Sequence, residues 1–311
     1  MPINWYPGHM HKANKEMIRA LNDVDLIIEL LDARLPYSSQ NPAIQKLREN
    51  KPCIKILSKS DLADPKITSE WQDNFEQQSS VKTLLTTLSQ TDKAQKVTHL
   101  CRKLVPSKSK ADLNMLVMIT GIPNVGKSTL INALADRKIA KTGDEPAITK
   151  GMQKVKLDSG IVLMDTPGIL WPKIHNENSG YRLAASGAIK DTAMDVEEVA
   201  FYLSDYLIKN YPKTLINRFG LSVLPETAFE FLELVGARRG CLRAGGHVDL
   251  EKVSSILVNE FRSGKLGGIT LERPNMIAAE ERIVEQKIAE KDERDKLRKR
   301  RRLKLRAKKP D

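Results

Sequence analysis

One nine-residue stretch limits what this chain can fold into more than any other. Gly121-Ile122-Pro123-Asn124-Val125-Gly126-Lys127-Ser128-Thr129 matches the phosphate-loop pattern G-x-x-x-x-G-K-[ST]. The pattern works only between a strand and a helix, and both are legible. Residues 115–120 (MLVMIT) read as a buried strand, and residues 129–135 (TLINALA) as the start of a helix. Glycine lets the backbone curl until successive N–H groups point inward, and the helix N-terminus adds partial positive charge. Asn124, Val125, Gly126, Lys127, Ser128 and Thr129 are therefore candidate nucleotide-binding residues. Lys127 is suited to the β- and γ-phosphates, and the Ser128 hydroxyl to a Mg²⁺ ion.

Around this loop the chain alternates. A turn at Trp5-Tyr6-Pro7-Gly8 leads into a helix from about residue 9 to 21. Strands are predicted at 24–31, 53–57 and 81–86, and helices at 41–49, 68–78 and 91–104. A polar linker, 106–112, precedes the phosphate-loop strand. Residues 153–157 and 161–164 form a hairpin about Asp158-Ser159-Gly160. Six strands, mostly alternating with helices, predict an α/β domain with a largely parallel six-stranded sheet over residues 1–175. Helical periodicity then takes over. Helices are expected at 195–209, at 225–235 and after Asp249, giving a small all-α domain over 176–273. Residues 274–311 form a charged tail, expected to be helical only in part.

Two further elements decide the nucleotide. Ser58-Lys59-Ser60-Asp61 follows a strand and resembles the N-K-x-D element that reads guanine. Asp61 can accept from both the ring N–H and the exocyclic amine, a paired contact that adenine does not offer. Lys59 is placed to lie along the base. Ser58 stands where asparagine is usual, and a hydroxyl cannot supply both an amide donor and an amide acceptor. Asp165-Thr166-Pro167-Gly168 follows another strand, with Asp165 as a Mg²⁺-side carboxylate and the Gly168 N–H directed at the γ-phosphate. Thr149, between this element and the phosphate loop, is the candidate switch-loop Mg²⁺ ligand. Ser58–Asp61 precedes Gly121 by about sixty residues, the reverse of the usual order, so the domain reads as circularly permuted. The switch element at Asp165 then leads directly into the helical domain.

On these residues, together with Trp5-Tyr6-Pro7-Gly8-His9-Met10, Asp32-Ala33-Arg34, DTPGILWPK and Arg239-Gly240-Cys241-Leu242, the chain resembles the ribosome biogenesis GTPase A family of circularly permuted bacterial GTPases. The resemblance covers about residues 1–273. It implies GTP binding and hydrolysis in late assembly of the large (50S) ribosomal subunit, with GTP and GDP, ribosomal RNA and ribosomal proteins as partners. It also implies an RNA-contacting helical domain. By position Thr86 and Thr87 occupy the base-edge loop, and Asn124 stands where a potassium ion is held. The place after the D-x-x-G element that carries a water-orienting glutamine in Ras-like proteins holds Ile169, which has no polar atom. The resemblance points to His9 as the catalytic group. An ordinary helix-start role for His9, and a weaker candidate at His175, stand beside it.

Charge and composition add partners and compartment. The net charge is +12, and residues 296–309 alone carry ten Lys or Arg and no acid. A single basic tail points to a polyanion, here RNA. Three scattered cysteines with no C-x-x-C pair suggest a reducing compartment and no cysteine metal site. No membrane span or secretion signal is legible, so the chain is expected to be a cytoplasmic monomer without a membrane partner. A nucleotide-gated RNA-binding factor with incidental hydrolysis and a metabolic phosphotransferase remain as competing readings. The second lacks any visible set of acid–base groups for a substrate, and Asp61 argues against ATP.

Overall fold

Apolar strands that are buried on both faces set the architecture. In the computed structural model, which describes residues 3, 5–87, 93–108, 114–136 and 152–306 (93, 94 and 300–306 by backbone only), β1 (Leu26–Asp32) and β2 (Cys53–Ser58) are buried at every position. Runs such as LIIELLD cannot face water on either side, so they occupy the middle of a parallel sheet. β3 (Val81–Leu85), β4 (Met115–Gly121), β5 (Gln153–Lys156) and β6 (Ile161–Asp165) complete it in the order β3-β2-β1-β4-β6-β5. Only the β5–β6 pair is antiparallel, closed by the turn in which Gly160 takes a left-handed backbone. The expected six-stranded, mostly parallel sheet is present.

The helices follow their caps. α1 (Gly8–Ala20) buries Met10, Ala13, Met17 and Ala20, and the Thr120 hydroxyl of β4 donates to Met17 Sδ at 3.7 Å. α2 (Pro42–Leu47) begins where Asn41 accepts from the Ala43 N–H. α3 (Pro65–Glu76) starts three residues earlier than periodicity suggests, because Asp64 caps the Lys66 and Ile67 N–H groups and Pro65 fits the first helical position. α4 (Lys93–Leu104) and α5 (Lys127–Ala135) complete the α/β part.

Five α-helices, not three, occur among the described residues of 176–273: α6 (Glu177–Ser186), α7 (Val196–Asn210), α8 (Pro212–Phe219), α9 (Ala228–Arg238) and α10 (Leu250–Arg262). The two missed ones are short and mixed in polarity. Their end signals were nonetheless in the sequence. Asn176 caps α6 and Gly187 ends it, while Pro212 opens α8 and Gly220 closes it, both glycines being left-handed. α9 begins at Ala228, where Thr227 accepts from the Glu230 N–H. Leu203, Leu207, Phe231, Leu232, Val253, Leu257 and Phe261 are buried in this helical part.

The chain divides into two compact units, Met1–Glu272 and Arg273–Asp311. The second contains α11 (Pro274–Arg306), one continuous helix of 33 residues, which corrects the expectation of partial helicity. After Pro274 the described helix contains no Gly or Pro, and acids precede bases by four residues at Glu290/Arg294, Asp292/Lys296 and Asp295/Lys299. No helix among the described residues is long and apolar enough to cross a membrane. Cys53, Cys101 and Cys241 are all buried and not in disulfides.

Candidate nucleotide site

The base-side turn after β2, the phosphate loop and Asp165 all lie where parallel strands end. The chain runs outward from β1 to β2 to β3, then crosses back to place β4 on the other side of β1. That reversal makes a crevice at the carboxyl ends of β1 and β4, the usual ligand position in an open α/β sheet. Along this edge stand Ser58-Lys59-Ser60-Asp61 after β2, Asp32 at the end of β1, the phosphate loop after β4 and Asp165 at the end of β6. Two strand spacings, about 10 Å, separate β2 from β4. The turn after β2 and the phosphate loop after β4, about sixty residues apart in the chain, thus share one edge.

The phosphate loop is shaped by close backbone approaches. A Cβ on Gly121 would meet the Leu30 carbonyl oxygen of β1 and Val125 Cγ1, both at 2.8 Å. Asn124 and Gly126 take left-handed backbone with φ of 58° and 93°. Asn tolerates that region through its short polar side chain, and Gly without steric cost. Lys127 is buried, and its Nζ lies 2.6 Å from Asp165 Oδ1, itself buried. This ion pair joins the phosphate loop to the switch element and fixes both at one place. Ser128 and Thr129, half-buried, occupy the first turn of α5.

Gly168 lies against the loop. A Cβ there would meet Pro123 Cα at 3.0 Å and Pro123 N at 3.2 Å. The Thr166 hydroxyl donates to the Ile119 carbonyl at 2.9 Å and the Ile169 N–H to Gly121 O at 3.4 Å, so the switch segment is stitched to β4. Ile169 is buried, and no polar atom of its side chain can orient water. The Asn124 amide donates to the Gly187 carbonyl at 2.8 Å, at the end of α6.

At the other end, the Ser58 hydroxyl is buried and donates to the Leu31 carbonyl at 3.0 Å. It therefore braces β1 and β2. Lys59 takes a left-handed backbone (φ 54°), and its Nζ lies 3.1 Å from Asp32 Oδ2. Ser60 donates through both N–H and hydroxyl to the Thr86 carbonyl, each at 3.2 Å, which ties the turn after β2 to the loop holding Thr86 and Thr87. Asp61 is exposed.

His9 is exposed on the first turn of α1, and His175 is exposed after the switch segment. Thr149 lies outside the described residues. Sequence reasoning gave Asp32 and Arg34 no chemistry, although both charges sit at the end of a run of buried apolar residues. Such charges need partners, and that signal was available.

Mg²⁺ is small and hard, and it is commonly held by one or two protein oxygens plus phosphate oxygens rather than by a dedicated cage. The pair Ser128 and Asp165 suits it, since the Lys127–Asp165 contact carries the carboxylate to the residue preceding Ser128. No cluster of three or more His, Cys, Asp or Glu that could hold a metal occurs among the described residues. The donor set therefore fits an ion bound mainly through nucleotide.

The family model described as "50S ribosome-binding GTPase" matches residues 116–217. That match starts in β4 and takes in the phosphate loop and Asp165–Gly168, but not Ser58–Asp61 upstream, as a permuted order requires. Over 280 residues the chain is 44% identical to "Ribosome biogenesis GTPase A" of Bacillus pumilus, spanning 88% of this chain and 99% of that one. It is 32% identical to the protein of the same name from Thermotoga maritima, over 88% and 96%. Two solved structures of YlqF are similar. One is GDP-bound, with a TM-score of 0.61 and 26% identity over 84% of this chain and 99% of that one. The other is GNP-bound YlqF from T. maritima, with a TM-score of 0.59 and 27% identity over 85% and 98%.

Proposed function

The chain belongs to the ribosome biogenesis GTPase A family, and from that premise we propose how its own residues serve a GTPase that acts in ribosome biogenesis. GTP spans the sheet edge, with guanine at Ser58–Asp61 and the base-edge residues Thr86 and Thr87, and phosphates at Asn124–Thr129. The observation that carries this reading is the shared edge, where β2, β1, β4 and β6 end side by side. GTPases of this class use Mg²⁺, which would be held by Ser128 and Asp165 with Thr149, and which neutralises charge developing between the β- and γ-phosphates. Binding of the triphosphate would draw Lys127 from Asp165 toward the phosphates and leave the Asp165 carboxylate available on the Mg²⁺ side. The Gly168 N–H then senses the γ-phosphate. Potassium at Asn124 would supply a second positive charge there.

Hydrolysis requires a water in line with the bond to the β-phosphate oxygen. His9 is the proposed water-positioning residue, brought in when the ribosomal partner engages, since Ile169 supplies nothing. Slow intrinsic turnover is the consequence. The biological substrate is proposed to be a late precursor of the large ribosomal subunit. GTP-bound protein docks on its RNA and proteins, hydrolysis releases it, and the basic tail adds sequence-independent attraction to phosphates. A cytoplasmic monomer fits these roles. The direct Asn124-to-Gly187 contact favours nucleotide-controlled docking over incidental hydrolysis, because it joins the phosphate loop to α6.

The test is GTP turnover with and without purified large subunits, in potassium and in sodium, with ATP as control. A GTP-only rate that rises with subunits, more in potassium, is expected. Absence of both stimulation and cosedimentation in every nucleotide state would reject the large-subunit reading.

A further inference from the structure

A buried chain of charges runs between the base-reading turn and the helical part. Asp32 is 1% exposed at the end of β1, opposite Ser58 in the sheet register. Its Oδ2 accepts from Lys59 Nζ at 3.1 Å and from Arg34 Nη2 at 2.8 Å, and its Oδ1 accepts from Arg34 Nε at 2.9 Å and Arg34 N at 3.0 Å. Arg34, also 1% exposed, reaches the other way. Its Nη1 donates to the Phe261 and Arg262 carbonyls at 3.3 Å, at the C-terminal end of α10, and its guanidinium lies over the Phe261 ring. A cation at that end of a helix is favoured by the exposed carbonyls.

Further contacts extend the same connection. Arg262 donates to the Ala184 and Ala185 carbonyls at 2.9 and 3.0 Å and packs on Gly187, whose carbonyl accepts from Asn124. The segment after α10 is fastened to the base-reading turn as well. Ile269 N–H donates to Leu62 O at 3.0 Å, Asp64 N–H to Thr270 Oγ1 at 3.1 Å, and Leu271 N–H to Arg34 O at 2.7 Å.

We propose that Asp32 is a positioning residue for guanine recognition: its carboxylate holds the Lys59 ammonium in place, and Arg34 fixes that carboxylate by gripping the end of α10. The proposal rests on the reading of Ser58–Asp61 as the base-reading element. Three independent features support it. Asp32 stands on the strand between the two halves of the nucleotide site. Lys59 adopts a left-handed backbone, which is strained for a lysine and so needs a tertiary anchor. Burial alone would raise the Asp32 carboxyl, but the charges of Arg34 and Lys59 and the Arg34 hydrogen bonds outweigh it and hold the group well below the usual carboxylate range. A consequence is that displacement of α10 by a docked partner loosens the grip on guanine.

The experiment is a double-mutant cycle on the full chain with a fluorescent GDP. Asp32→Asn and Lys59→Met are each expected to weaken binding about tenfold, the size of one hydrogen bond to a charged group. In the Lys59→Met background, Asp32→Asn should then change binding by less than about twofold. In GTP turnover the Asp32→Asn loss should fall on KM rather than kcat. Effects that multiply, or an Asp32→Asn chain that binds GDP like the parent, overturn the proposal. Should Asp32→Asn alone fail to fold because Arg34 is left buried without a counter-charge, Asp32→Asn with Arg34→Met removes both charges and carries the same cycle. Asp61→Asn checks the underlying reading separately. An amide there donates where the carboxylate accepted, so preference should move from guanine to xanthine nucleotides. If it does not move, the base-reading assignment falls; if it moves without Asp32–Lys59 coupling, only the positioning role falls.

Discussion

Gly168→Ala separates GTP from GDP, and its size can be worked out from the contacts. Gly168 is not in the left-handed region, so space is the only objection to alanine. The new Cβ would stand 3.0 Å from Pro123 Cα and 3.2 Å from Pro123 N, against an ordinary carbon contact of about 3.5–4.0 Å. At least ~0.5 Å must be found between two pieces of backbone. The phosphate loop cannot retreat, because Gly121 already lies against the Leu30 carbonyl of β1. The switch segment must therefore move, carrying its N–H away from the γ-phosphate. Stretching one hydrogen bond to a charged oxygen by that distance forfeits roughly 1.5–3 kcal/mol, or about 10- to 100-fold in affinity. GDP has no γ-phosphate and is spared.

The assay is competition of GDP and a non-hydrolysable GTP analogue against a fluorescent GDP. A selective loss for the triphosphate is expected. Equal weakening of both nucleotides would mean that the phosphate loop itself had been displaced, and no effect on either would mean that Gly168 is remote from the γ-phosphate. Both results would refute the reasoning.

Other expected outcomes concern stability, acid and RNA. Gly121→Ala pushes a methyl group onto the Leu30 carbonyl and Val125, and should lower urea stability by about 1–3 kcal/mol; an unchanged midpoint would contradict that. Burial would raise the Glu260 carboxyl, but the Arg218 hydrogen bonds at 2.6 and 2.8 Å, with the Arg218 and Arg239 charges, hold it below its ordinary value. Its contribution is fully present above about pH 4.3, the unfolded value, and is lost as pH falls through the lower folded value. Glu260→Gln should flatten that part of the acid unfolding curve, and an unaltered acid profile would remove Glu260 from the account. A chain ending at residue 272 should bind a ribosomal RNA fragment with a smaller salt dependence. If the ten basic residues of 296–309 each neutralise a phosphate, up to about 7–9 units of log–log slope disappear, and an unchanged slope would show that the tail does not touch RNA.

What could be read from the chain was whatever a local backbone dictates. The phosphate loop, the hairpin at Gly160 and the caps at Asn41 and Asp249 need only a few consecutive residues, and each occurs where the sequence puts it. Continuous apolar runs marked β1, β2, β4 and β6 because a buried strand leaves no polar face to mislead. α6 and α8 escaped because ten and eight residues hold too few turns for periodicity to stand out, although their capping residues were in view. The long helix after Pro274 escaped for the opposite reason: it lacks an apolar face, and helix propensity with acid–base pairs at four-residue spacing replaced it.

The sequence by itself determined the chemistry available: a lysine and hydroxyl at a phosphate loop, an aspartate suited to guanine, a glycine suited to sensing a γ-phosphate. Only the tertiary structure decided which of these meet. The crossover that places β4 beside β1 brings Ser58–Asp61 and Gly121–Ser128 to one edge, and the Lys127–Asp165 pair closes 38 residues of separation. It alone gave Asp32 and Arg34 their partners, because a buried charge states that it needs a counter-charge but not which residue supplies it. For Arg34 the answer lies 227 residues away, in the carbonyls that end α10.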